Sequence, residues 1–193
     1  MDTVRPESQG FSSARLTRLD TRMQHYVDEN KIAGVITLVA RRGQVVHFGM
    51  CGMADRETGR KMQEDTIFRI YSMTKPITTV AALMLYEEAR FRLTDPVAQY
   101  IPVFKDVQVL DNTPGSGVKL VAPARPMTIR DLMTHTAGLS YGFEENCHID
   151  ELYRQNVWGV MDANPSITLA EMVEAVGKQP LAFHPGERWR YSV

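Results

Sequence analysis

The sequence predicts a mixed α+β fold, and three patterns carry that prediction. Leu16, Leu19, Met23 and Val27 recur at helical spacing. Val35 to Ala40 is a short β-branched apolar run, turned by Arg41-Arg42-Gly43 and answered by Val45 to Phe48. Ile77, Val80, Ala81, Met84 and Leu85 then form a second helical stripe. Stripes of period 3.6 report amphipathic helices, and a β-branched pair of runs around a turn reports a hairpin. The layout is helix, strands, helix, and then a mainly helical region.

Ser12 or Ser13 can cap the first helix, and Gly34 is expected to end it. The hairpin is expected to continue into a third strand near Cys51 to Ala54. The second helix begins at Tyr71-Ser72-Met73-Thr74-Lys75-Pro76 and runs to about Arg90. Pro76 falls in its first turn, where a missing N–H costs nothing. Beyond Thr94-Asp95-Pro96, short helical patterns alternate with Pro- and Gly-rich loops. Thr128 with Asp131 and Thr168 with Glu171 have capping-box spacing. The expected division is 1–90, part of the sheet domain with the Ser72 helix, and 91–193, mainly helical.

With 193 residues, 44% hydrophobic content and a net charge of −1, the composition is that of a globular domain with a real core. Lys and Arg are dispersed, which argues against nucleic acid. Cys51 and Cys147 lie far apart and read as reduced thiols rather than a disulfide framework. Met1 to Gly10 is polar without an apolar signal region, and no stretch approaches membrane-spanning length. A cytoplasmic location is expected, or a periplasmic one if a signal was removed, with no membrane partner.

Ser72 and Lys75 carry the chemistry. Residues i and i+3 share a helix face, so the lysine amine can lie beside the serine hydroxyl. A helix N-terminus offers free N–H groups and a positive dipole end, favouring an oxyanion and disfavouring an ammonium. The Ser72 N–H is the candidate oxyanion donor. Desolvation of Lys75 would lower its pKa further and let it accept the serine proton. Roughly one S-x-x-K is expected by chance in a chain of this length. A second copy, Ser116-Gly117-Val118-Lys119, sits in a turn-forming cluster with no helical pattern after it and reads as a loop.

Other candidates read as structural. His135 invites a serine–histidine pair, but no G-x-S-x-G elbow occurs in the chain. Cys147-His148 with Asp150 and Glu151 lacks the spacing of a metal site and reads as a polar loop, so no metal or other cofactor is expected. Trp158 and Trp189 either line a pocket or pack.

Four segments taken together resemble the serine β-lactamase and penicillin-binding protein superfamily. They are Phe68 to Lys75, Leu93-Thr94-Asp95-Pro96-Val97, Leu132-Met133-Thr134-His135-Thr136-Ala137-Gly138-Leu139, and Phe183 to Ser192. The branch they most resemble is the family VIII carboxylesterases, relatives of class C β-lactamases. The resemblance implies a β-lactamase/transpeptidase-like fold, an antiparallel sheet flanked by helices. It implies Ser72 as acylated nucleophile, Lys75 as base, and Tyr191 as second base and proton relay. Tyr71 and Val193 would touch substrate. Class C enzymes carry asparagine where this chain has Val193, which tilts the reading from lactams to esters. The family also continues well beyond this length, so the C-terminal strands, a third motif and a second oxyanion donor are expected from a further segment or a second chain.

The leading expectation is therefore a serine hydrolase of small carboxylic esters acting through an acyl-serine. β-Lactamase, D-alanyl peptidase and acyltransferase activities are alternatives within the same chemistry, with β-lactams as a further substrate class. A non-catalytic binding or scaffold fragment is the alternative from another class.

Overall fold

The computed structural model describes residues 1–111 and 119–193. The chain divides into two compact units, Met1–Tyr71 and Ser72–Val193.

In the first unit, helix α1 (Ser13–Asp28) keeps Leu16, Leu19, Met23 and Val27 half-buried and packs on strand β2. Ser12 occupies the cap position, but its side chain makes no capping bond. The carboxylate of Glu7, from the preceding 3-10 turn, accepts the Ser13 N–H at 2.9 Å instead. The helix ends at Asn30 rather than Gly34. Asn30 adopts φ 58°, its N–H bonds Val27 O at 3.0 Å, and the Lys31 N–H bonds Tyr26 O at 2.9 Å. That is a Schellman cap, in which asparagine tolerates the left-handed position.

Gly34 opens β1 (Gly34–Arg41), which pairs antiparallel with β2 (Gln44–Asp55), and β2 pairs with β3 (Arg60–Lys61). Arg42 and Gly43, at φ 52° and 73°, form the two-residue turn whose twist suits a hairpin. The segment Cys51 to Ala54 is the continuation of β2, not a third strand. Gly52 lets the strand run on: at φ 80° it comes so close to Ala33 and Gly34 that a Cβ would collide with their backbone. The Asp55 carboxylate then accepts the Glu57 and Thr58 N–H groups at 2.9 and 3.2 Å and turns the chain into β3.

A 3-10 turn, Tyr71–Met73, leads into α2 (Thr74–Glu87). Ala89, at φ 57°, closes α2 with a second Schellman cap, so the helix stops short of Arg90. Helix α2 lies in the second unit, where Lys75 in its first turn sits by the Tyr141 and Tyr191 rings. Its apolar stripe is bare, with Ile77, Val80 and Met84 exposed by 62%, 58% and 61%.

The core of the second unit is built by the remainder. Strands β4 (Val109–Asp111) and β5 (Lys119–Val121) pair antiparallel, and the segment around Leu181 adds alongside Val109. Helix α3 (Ile129–Met133) starts at the expected Thr128–Asp131 capping box, and α6 (Leu169–Gly177) at the Thr168–Glu171 box. Between them α4 (His148–Tyr153) runs through a π turn into α5 (Gly159–Ala163). Tyr153, Val157, Leu181 and Val97 are fully buried at the centre.

Candidate active site

Ser72 lies in the 3-10 turn just ahead of α2, so the free N–H groups of the helix start surround it. Tyr71, immediately before it, takes φ 45°, a left-handed value that few non-glycine residues adopt. Such strain costs on the order of 1–3 kcal/mol and concentrates at functional sites. The Tyr71 side chain is 73% exposed.

Tyr191 comes to the serine from 119 residues away, and its hydroxyl donates to Ser72 Oγ at 2.6 Å. Lys75, half-buried, places Nζ 5.0 Å from the Tyr191 ring centre and 5.7 Å from that of Tyr141. The three expected catalytic residues are thus brought together, and the bond to the serine is made by Tyr191. The phenol is held below its ordinary value: the Ser72 hydroxyl bond lowers it, partial burial opposes, and the neighbouring Lys75 lowers it again. A serine hydroxyl that turns its proton toward the phenol oxygen, with a cation beside the ring, favours phenolate.

A cleft of about 570 Å³ opens beside Tyr191, walled by Tyr141, Phe143, Trp189 and Arg188. Tyr141 and Phe143 stack with centroids 4.3 Å apart, and Tyr141 lies 5.7 Å from Tyr191. Trp189 is 65% exposed at this cleft, whereas Trp158 packs on the core and donates its indole N–H to Tyr141 O. Val193 is half-buried against the core, with its N–H on Ser140 O at 3.3 Å.

The region around Cys147 is a helix start rather than a polar loop, and it buries the Asp150 carboxylate. Asp150 is only 1% exposed and takes bonds from the Ser140 hydroxyl, the Glu144 N–H and Arg190. Glu144, Cys147 and Asp150 have ligand-type atoms within 4.8 Å of one another. The cation among them is the Arg190 guanidinium, 2.9 Å from Asp150, 3.4 Å from Glu144 and 3.7 Å from Cys147 Sγ. An arginine there leaves these donors to an ion pair and not to a metal. Both cysteines are free thiols. Ser116 of the second S-x-x-K lies outside the described residues, while Lys119 opens β5 and heads no helix. Among the described residues no helix is long and apolar enough to cross a membrane.

The family model described as Beta-lactamase matches residues 19–193. Esterase EstB of Burkholderia gladioli is 34% identical over 178 residues, covering 91% of this chain and 42% of its own. Lovastatin esterase of Penicillium rubens is 32% identical over 177 residues, covering 90% of this chain and 43% of its own. Among solved structures, "EstCE1, a hydrolase with promiscuous acyltransferase activity" aligns with TM-score 0.71 and 31% identity, over 92% of this chain and 43% of that one. The chain spans about two-fifths of the length of the curated relatives it matches.

Proposed function

The chain belongs to the beta-lactamase family, and from that premise we propose that it carries the nucleophile and base of a serine hydrolase of small carboxylic esters. The observation behind the reading is the 2.6 Å bond between Tyr191 and Ser72 at the head of α2. Esterases among the relatives support the ester class. Ser72 Oγ attacks the ester carbonyl carbon as its proton passes to the Tyr191 phenolate, whose charge Lys75 stabilises. The Ser72 N–H holds the oxyanion. The C–O bond to the alcohol then breaks, and Tyr191 returns the proton to the leaving alkoxide. Water, deprotonated by the same phenolate, attacks the acyl carbon, the bond to Ser72 breaks, and Ser72 Oγ takes the proton back from Tyr191. An alcohol taking the place of that water gives acyl transfer, the second activity named for one structural relative.

We further propose that additional residues, on this chain or another, cover the bare stripe of α2 and supply the second oxyanion donor. The stripe's exposure and the relatives' greater length support this. In the full-length protein, Ser72→Ala should abolish nitrophenyl butyrate hydrolysis and fluorophosphonate labelling, while Ser116→Ala should leave both intact. A dead Ser116 variant, or an active Ser72 one, refutes the assignment.

A further inference from the structure

One residue, His135, holds Tyr191 from both flanks. The Arg190 N–H donates to the His135 carbonyl at 2.9 Å, and the Ser192 N–H reaches His135 Nδ1 at 3.3 Å. The Ser192 hydroxyl lies 3.1 Å from the same nitrogen. The imidazole also lies against the phenol between them, with ring centroids 4.8 Å apart, and Trp189 meets its edge at 6.2 Å. His135 adopts φ 55°, and that left-handed backbone lets it present both its carbonyl and its ring to the same segment.

We infer that His135 is the positioning residue for Tyr191 and that it acts only while its Nδ1 is unprotonated. The inference rests on the base role proposed for Tyr191. A backbone N–H can only donate, so the nitrogen facing Ser192 must accept. The neutral ring therefore carries its proton on Nε2. Protonating Nδ1 sets two donors against each other at Ser192, one residue from the phenol, and loosens the segment that aims it. Burial, and after it the Lys75 charge, hold His135 below its ordinary value, so the clamp is intact at neutral pH and is lost as pH falls through that lowered value. The groups that face the ring are Lys75 from α2 and the Tyr191 phenol from the C-terminal segment. Asp131 of α3 is engaged by Arg125, and Arg190 by Asp150.

The test uses the full-length protein, with Ser72 labelling by a fluorophosphonate and ester turnover both followed from about pH 4 to 8, a span that reaches below the ordinary histidine range. His135→Leu removes the acceptor and should lower kcat by roughly ten- to a hundredfold with little change in KM, as misplacement of a reacting group does. His135→Asn offers an oxygen near the place of Nδ1, tolerates the left-handed backbone and does not titrate. It should recover most of the rate at neutral pH. Its acid limb should also lose one proton, the slope of log rate against pH falling by about one on the acid side of the lowered His135 value. If His135→Leu fails to fold, the acid limb of the Asn variant decides alone. An acid limb superimposable on wild type, or an Asn variant as slow as the Leu one, overturns the inference. Absence of labelling in the wild type would instead sink the Ser72 reading, and this one with it.

Discussion

Asp150→Asn should destabilise the protein far more than a single-atom change suggests. Every partner of this carboxylate is a donor: the Ser140 hydroxyl, the Glu144 N–H at 2.7 Å and Arg190 Nη2 at 2.9 Å. An amide can serve them with one oxygen only, and its NH₂ must face another donor. Losing one partner of a buried ion pair typically costs about 3–5 kcal/mol. The Arg190 side chain keeps 21% exposure, so water relieves part of its stranded charge. The loss should therefore fall near the lower end, about 3 kcal/mol. Acid dependence gives a second signature. Burial acts to raise the Asp150 carboxyl, but the Ser140 bond, the Glu144 N–H and Arg190 outweigh it and hold it below its ordinary 3.8. The stabilisation of a depressed carboxylate is complete above the unfolded value and is lost as pH falls through the lower folded value. Urea unfolding of the full-length variant should thus show a shifted midpoint at pH 7 and a weaker acid dependence below about pH 4. A loss below about 1 kcal/mol, the worth of one ordinary hydrogen bond, would refute the claim that the carboxylate anchors this loop.

Lys75→Met removes the charge that stabilises the Tyr191 phenolate, so esterase activity should fall by roughly a hundredfold or more, while Lys75→Arg, which keeps the charge, should retain more of it; an equal loss in both variants would instead make Lys75 itself the proton acceptor. At Asp131, burial raises the carboxyl, but Arg125 and Thr128 press it down to about 2. Arg125→Met should let it rise toward 3.8, so the stability that the wild type loses between about pH 4 and 2 should shrink; because Arg125 is 43% exposed, the cost at pH 7 should be only about 1 kcal/mol. Val80→Asp should cost several kcal/mol, roughly 2–4, in the full-length protein if its stripe is covered there, and almost nothing in residues 1–193 alone. Equal effects in the two would refute a covering element.

What the sequence made legible was local. The stripes of α1 and α2 state their own periodicity, and the two capping boxes place the starts of α3 and α6 within one turn. The misreadings have different causes, one a local backbone choice and the others contacts from elsewhere in the chain. Gly34 looks like a helix stop until Asn30 is seen in the left-handed position. Cys51 to Ala54 looks like a strand of its own until its pairing with Gly34 and Val35 is seen, with Ala33 and Gly34 too close to Gly52 for any side chain. Cys147-His148 looks like a loop because the burial of Asp150 depends on Arg190, which lies 40 residues on.

The same division runs through the site. Ser72 and Lys75 stand one helical turn apart and can be read together from sequence. Tyr191 has no local mark and was reached through resemblance to a family. His135 and Asp150 can be named from sequence, but their roles and that of Ser140 were out of reach, because what they do is fix a residue 41 to 56 positions away. Their arrangement nonetheless follows from what a distant base demands. A phenol must reach Oγ at 2.6 Å from a part of the chain 119 residues removed, and a misplacement of 1 Å can cost on the order of a hundredfold in rate. One anchor would leave that segment free to pivot. Here Arg190, on one side of Tyr191, is pinned by its side chain to Asp150 and Ser140 and by its N–H to His135. Ser192, on the other side, is pinned by its N–H to the His135 ring. With both neighbours fixed, the phenol between them has little left to move except its hydroxyl proton, which is the part the proposed chemistry needs to move.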